Sequence, residues 1–147
     1  MPLLLWFSCG LASLALLAAG GAQVPVPTSL AHALRASHWQ QRVLLIGAPT
    51  ASQTDFQQQK KLLATEAKGL AERDFNVIEV PYDHLSAADR QYWTQQLQQP
   101  LSGFVVVLIG KDGGIKRTET QPLAPASLFS TVDKMPMRRS EMRGQKE

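Results

Sequence analysis

Apolar residues in this chain cluster in two ways, as uninterrupted runs and as stripes at helical intervals, with proline or glycine between the clusters. Three runs have the length of buried strands: RVLLIGA at Arg42–Ala48, NVIEV at 76–80, and the apolar opening of FVVVLIGKDGGIKRT at 104–118. Pro49 and Pro81 end the first two, because proline has no amide to give to a strand ladder. The third leads into Lys111-Asp112-Gly113-Gly114, where both glycines are expected to take the positive φ of a tight turn, and then into a short basic strand. Residues 104–118 therefore predict a β-hairpin.

The helical stripes lie between and after these runs. Leu30, Ala33 and Leu34 share one side of a short helix predicted over 29–40. Ser52-Gln53-Thr54-Asp55 is a capping-box pattern, which predicts a long helix to about Glu72. Its buried stripe would be Phe56, Leu63, Ala67 and Leu70, with Gln57, Lys60, Lys61 and Lys68 in water. Ser86-Ala87-Ala88-Asp89 repeats the pattern before a helix carrying Tyr92, Trp93 and Leu97, whose polar face takes Gln95, Gln96, Gln98 and Gln99. Leu128, Phe129 and Val132 predict one last helix, stopped by Pro136 near Met135. The order is that of an α/β protein: a parallel βαβ unit, a further helix, an antiparallel terminal hairpin and a closing helix, with helices on both sheet faces.

Composition changes the picture at the start of the chain. The 147 residues suit one domain, yet residues 1–34 contain no Lys, Arg, Asp or Glu, and 3–22 are almost wholly apolar. Gly20-Gly21-Ala22 before Gln23 supplies the small residues of a signal-peptidase site, so residues 1–22 are expected to be a cleaved export signal. An uncleaved membrane anchor is the alternative, since a run of this length also spans a bilayer. The resulting division is 1–22 signal, 23–28 proline-containing linker, 29–142 folded domain and 143–147 basic tail, in a protein destined for the periplasm or the exterior. Cys9 is the single cysteine and departs with the signal. The mature domain then has no disulfide, thiolate nucleophile or cysteine-bound metal.

Charge is placed unevenly as well. Up to Asp133 there are ten basic and ten acidic residues, whereas Lys134, Arg138, Arg139, Arg143 and Lys146 face only Glu141 and Glu147 beyond it, so the net +3 sits at the carboxyl end. Such a segment suits an anionic surface, although solvated termini are often charged without a partner.

In combination, RVLLIGAP at 42–49, ERDFNVIEV at 72–80, FVVVLIGKDGGIKR at 104–117 and LFSTVDKMPMRRSEM at 128–142 resemble a peroxiredoxin-like family of secreted domains of unknown function. That family occurs alone in bacteria and within the extracellular proteins equarin and the sushi-repeat-containing proteins. The resemblance covers 42–142 and implies a thioredoxin-like fold and an exported location, but no catalytic mechanism. In thioredoxin-like enzymes the active cysteine lies between the first strand and the first long helix. Here that segment reads Ala48-Pro49-Thr50-Ala51-Ser52-Gln53. The cis-proline those enzymes place before the hairpin has only Pro100 as a counterpart, several residues too early.

Two groups of candidate site residues follow. Thr50 and Ser52, on the loop after the first strand, offer hydroxyls and free amides to an anion, at the edge where α/β sheets usually bind ligands. Ser52 as a simple helix cap, with Asp55 at the same helix end, is the plainer reading. Lys111, Lys116, Arg117, Arg138 and Arg139 would form a basic surface if the tail folds back toward the hairpin, and Arg73-Asp74 is placed to pair with other charges. Lys111–Gly114 lacks the order of a phosphate loop. His32, His38 and His84 lack metal spacing, so no metal or cofactor is expected. Trp39, Tyr82, Tyr92 and Trp93 are expected in packing rather than as nucleic-acid platforms, and Met135 and Met137 as gap fillers around Pro136. The function expected is a non-catalytic module binding a protein or a polyanion. A thiol-independent enzyme using Thr50, Ser52 and Asp55 is the alternative.

Overall fold

A computed structural model describes residues 28–146. The expected signal, Cys9 and nearly all of the linker lie outside the described residues. The elements run α1 (Leu30–Ser37), β1 (Arg42–Ala48), α2 (Thr54–Ala64), α3 (Ala67–Glu72), β2 (Phe75–Pro81), α4 (Ala87–Gln91), β3 (Val105–Ile109), β4 (Ile115–Glu119), α5 (Pro125–Asp133) and α6 (Pro136–Gly144). The sheet order is β2-β1-β3-β4, with β1 and β2 parallel and the other neighbours antiparallel. This is the thioredoxin-like α/β fold.

Alternation along β1 and β3 separates two cores. Leu44, Ile46 and Ala48, with Val106 and Leu108, pack under Phe56, Leu63, Leu70, Leu128 and Val132 from α2, α3 and α5. Val43 and Leu45, with Val105, Val107 and Ile109, pack on the other face with Leu30 of α1 and with Trp93 and Leu97 beyond α4. Each fully buried large side chain contributes about 1.5–3 kcal/mol, so the two faces together hold the sheet between its helices. The uninterrupted apolar character of β1 follows from having a core on each side.

Several elements differ from expectation, each for a local reason. The helix after β1 begins at Thr54, its cap position is Gln53, and Ser52 makes no capping bond. The expected single helix is two, because the chain turns at Thr65, whose Oγ1 donates to Leu62 O at 2.8 Å. The turn leaves Ala67 exposed while Leu70 stays buried, and it brings Gly69 against Phe129, where a Cβ would lie 2.7 Å from Cε2. Gln59, fully buried beside Phe56, accepts from Leu123 N at 2.6 Å and donates to Leu123 O at 3.0 Å. It thereby satisfies backbone that no strand reaches.

At the second cap, Ser86 Oγ does accept from Asp89 N, at 3.1 Å, and the Asp89 carboxylate accepts from Leu30 N, joining α4 to the start of α1. A π-turn over Tyr92–Gln96 then carries Trp93 inward, where Nε1 donates to Pro100 O. In the hairpin only Gly113 has positive φ, +81°, among the two turn glycines, because Asp112 Oδ1 accepts from Gly114 N and closes the rest of the turn. Trp39 is 59% exposed, with its own amide bonded to Lys111 O, and is not a core residue. No described peptide bond is cis. Finally, Pro136 does not close the domain. It is the first residue of α6, the place in a helix where proline's missing amide costs nothing, so two helices follow the hairpin rather than one.

Candidate functional site

The amino end of β1 and the three helix-like segments 69–74, 125–133 and 136–144 meet around an arginine. Arg42 continues the inward alternation of Leu44 and Ile46 and is 1% exposed. A guanidinium there requires matched acceptors, since an unpaired buried charge costs several kcal/mol. Glu141 of α6 supplies both carboxylate oxygens, at 3.2 Å from Nη1 and 3.1 Å from Nη2, and Arg73 O accepts from Nη1 at 2.9 Å.

Arg73 is paired in the same manner. Its Nε and Nη2 donate to the two oxygens of Asp133 at 2.9 and 2.8 Å, its Nη1 donates to Gly69 O, and it lies 4.2 Å from the centre of the Phe129 ring. Arg138, also buried, donates to Glu72 O at 2.9 Å and to Asp133 Oδ1 at 3.3 Å. Three guanidinium groups thus satisfy Gly69, Glu72 and Arg73 carbonyls at the carboxyl end of α3. Those carbonyls have no helical amide to accept from, and the helix dipole places negative potential there.

The candidate cations divide on this network. Lys111 Nζ sits 2.8 Å from Asp74 and 2.9 Å from Glu141, so the carboxyl-terminal helix does fold back to the hairpin. Lys116 pairs with Asp112 at 2.7 Å. Arg117 pairs with Glu119 and donates to the Ser127 and Thr131 hydroxyls, tying β4 to α5. Arg138 belongs to the buried network. Arg139 is exposed, and so are Lys134, Arg143 and Lys146; none of these four makes an ion pair among the described residues. Arg139 and Arg143 stand one helical step apart on α6 and, with Lys146, line one shallow groove beside Met142.

Ionisation follows the geometry. Burial pushes the Glu141 carboxyl up, but hydrogen bonds from Arg42 and Lys111, with their charges, hold it below its ordinary value. The Arg73 hydrogen bonds hold Asp133 low against a smaller opposing effect of burial. Burial lowers Lys111, yet its bonds to Asp74 and Glu141 more than offset this and leave it raised. Glu141, Asp133 and Lys111 are therefore each held in the charged form at neutral pH.

The loop after β1 is built differently. Thr50 Oγ1 and Ser52 Oγ lie 3.1 Å apart at the surface, Gln57 Nε2 donates to Ala51 O, and Asp55 sits in the first turn of α2. Directly after β2, Tyr82 OH donates to Gly103 O and burial pushes its pKa to about 12, so it is a neutral packing group. Among the described residues no cluster of His, Cys, Asp or Glu has the makings of a metal site. No described helix is long and apolar enough to cross a membrane.

Sequence reasoning placed Arg138 and Lys111 among its candidates but missed Asp133 and Glu141 as their partners, and missed Arg42, which shares Glu141 with them. The available signal was an arginine opening an apolar strand, together with ERD at 72–74 and RRSE at 138–141.

The comparisons with known proteins agree with this architecture. Trxlp from Edwardsiella tarda EIB202 superposes with a TM-score of 0.53 and 20% identity, over 72% of this chain and 95% of that one. The reduced 2-Cys peroxiredoxin of Plasmodium vivax also gives 0.53, at 12% identity, over 78% and 85%. At these identities the likeness is one of fold. Coiled-coil domain-containing protein 80 of Danio rerio is 25% identical in an alignment 140 positions long that covers 79% of this chain but only 16% of that protein's length. The model of a domain of unknown function, DUF4174, matches residues 33–141, from within α1 to within α6, and the chain belongs to that family.

Proposed function

We propose that the protein is an exported, non-catalytic thioredoxin-like module that binds an anionic polymer through the outer face of α6. The observation that carries this reading is the sorting of charge along that helix and the two residues after it. Glu141 and Arg138 face inward and are paired, while Arg139, Arg143 and Lys146 are exposed and lack carboxylate partners among the described residues. A row of unmatched cations raises the local potential and favours a polyanion, whereas the matched inner cations contribute no comparable field. Export is supported by the composition of residues 1–22 and by the resemblance to domains set within equarin and sushi-repeat-containing proteins. The occurrence of a similar stretch inside a much longer zebrafish protein fits a module of larger assemblies.

The alternative, a thiol-independent enzyme using Thr50, Ser52 and Asp55, has in its support only the position of the loop and the contact between the two hydroxyls. Binding to immobilised heparin tests the leading reading. Arg139→Gln/Arg143→Gln/Lys146→Gln is expected to elute at clearly lower salt than the parent, because three screened contacts are lost. Unchanged elution rejects it. Truncation after Asp133 is a poor substitute, since it also removes Glu141 and leaves Arg42 buried without its carboxylate.

A further inference from the structure

Arg42 has one nitrogen that makes no hydrogen bond among the described residues. Both terminal nitrogens are bonded, but Nε–H has no acceptor among the described residues, in a side chain 1% exposed. The interior rarely tolerates such a group without a partner. The same side chain lines a cleft of about 160 Å³ between the hairpin turn and the start of α6, with Lys111 and Lys116 on one side and Met135, Pro136 and Met137 on the other.

The start of α6 supplies further donors to this place. The helix has no side-chain cap and no acidic residue in its first turn. Pro136 has no N–H, and Arg139 N donates to Met135 O. The amides of Met137 and Arg138 have no acceptor among the described residues. The positive end of a nine-residue helix, a buried guanidinium with a free N–H and Lys116 at the rim therefore border one cleft.

We propose that this cleft binds the carboxylate of a small aliphatic acid. The charge balance selects a monoanion. Lys111 is already matched by Asp74 and Glu141, Arg42 by Glu141 and Lys116 by Asp112, so little positive charge is left over, and Asp112 at the rim repels a dianion. The wall formed by Met135, Pro136 and Met137 offers no hydrogen-bonding side chain and suits an alkyl group. This site is distinct from the outer face of α6: Arg139, Arg143 and Lys146 line the other groove.

The test is a titration of the ¹⁵N-labelled full chain with propionate, with inorganic phosphate and chloride as parallel probes. Propionate is expected to give saturable shifts of the Met137 and Arg138 amides and of Arg42 Nε–H where chloride gives none. Lys116→Gln should raise the Kd about threefold, the effect of one exposed charge near a helix end. Met137→Glu, which carries its own carboxylate into the first turn of α6, should abolish the response. Both positions are exposed, so the fold persists, as the remaining amide spectrum verifies. Arg139→Gln/Arg143→Gln should leave propionate binding unchanged. A response that does not saturate, one equalled by chloride, tighter binding of phosphate, or full binding by Met137→Glu overturns the proposal.

Discussion

The two ends of β1 divide the molecule's chemistry in an unexpected way. At the carboxyl end, where this fold usually places its reactive groups, Pro49–Asp55 contributes two hydroxyls that bond one another and a carboxylate at the start of α2. At the amino end, Arg42 enters the interior and draws α3, α5 and α6 around a set of charge-assisted bonds. The first region is short-range and solvated, while the second joins residues as far as 99 positions apart in sequence. A shared fold thus says where functional groups can be carried, and the side chains decide which end carries them.

The largest expected effect comes from breaking the charged end. Glu141→Ala leaves Arg42 buried without its bidentate partner and should cost about 3–5 kcal/mol in urea unfolding, while an Arg42→Met/Glu141→Met double variant should recover most of that loss. A cost of Glu141→Ala near the level of a surface pair, about 0.5 kcal/mol, would remove the clasp as the reason α6 is held.

Acid sharpens the same contrast. Asp133 and Glu141 are held below their ordinary values of 3.8 and 4.5, so the folded state binds these protons less readily than the unfolded chain does. The stability they provide is fully present above those values and is lost as pH falls through the lower folded ones. Unfolding free energy should therefore drop on acidification across that range, and Glu141→Gln should flatten the drop. An acid limb of the same steepness in the variant would show that the ion pair is not its source.

The smallest effect is expected at the other end. Thr50→Ala/Ser52→Ala removes an exposed hydroxyl contact and should change unfolding free energy by less than about 0.5 kcal/mol. A larger loss would mean that the loop is held more tightly than its contacts indicate.

Much of the fold was legible in the chain. Arg42–Ala48 is a strand with the expected limits, Phe75–Pro81 exceeds its expected span by one residue at each end, and the hairpin and the Ser86 cap fall where the pattern put them. What was not legible depended on distant neighbours. The break after Ala64 places Gly69 against Phe129, and Gln59 is buried because Leu123 needs its amide. Pro136 reads equally well as a stop or as a first helical residue, and only the docking of α6 through Glu141 selects the second.

For the candidate site, the chain by itself supplied the list of cations but not their states. Local periodicity, turn chemistry and proline placement act over a few residues, so they determine where strands and helices begin and which face is apolar. Whether Lys111, Arg138 or Arg139 is free depends on carboxylates brought from other elements, because a charge is neutralised by proximity in space and burial then makes that pairing obligatory. The sequence determined the thioredoxin-like layering, and only the tertiary structure decided that Arg42, Arg73 and Arg138 are consumed inside it while Arg139, Arg143 and Lys146 face outward.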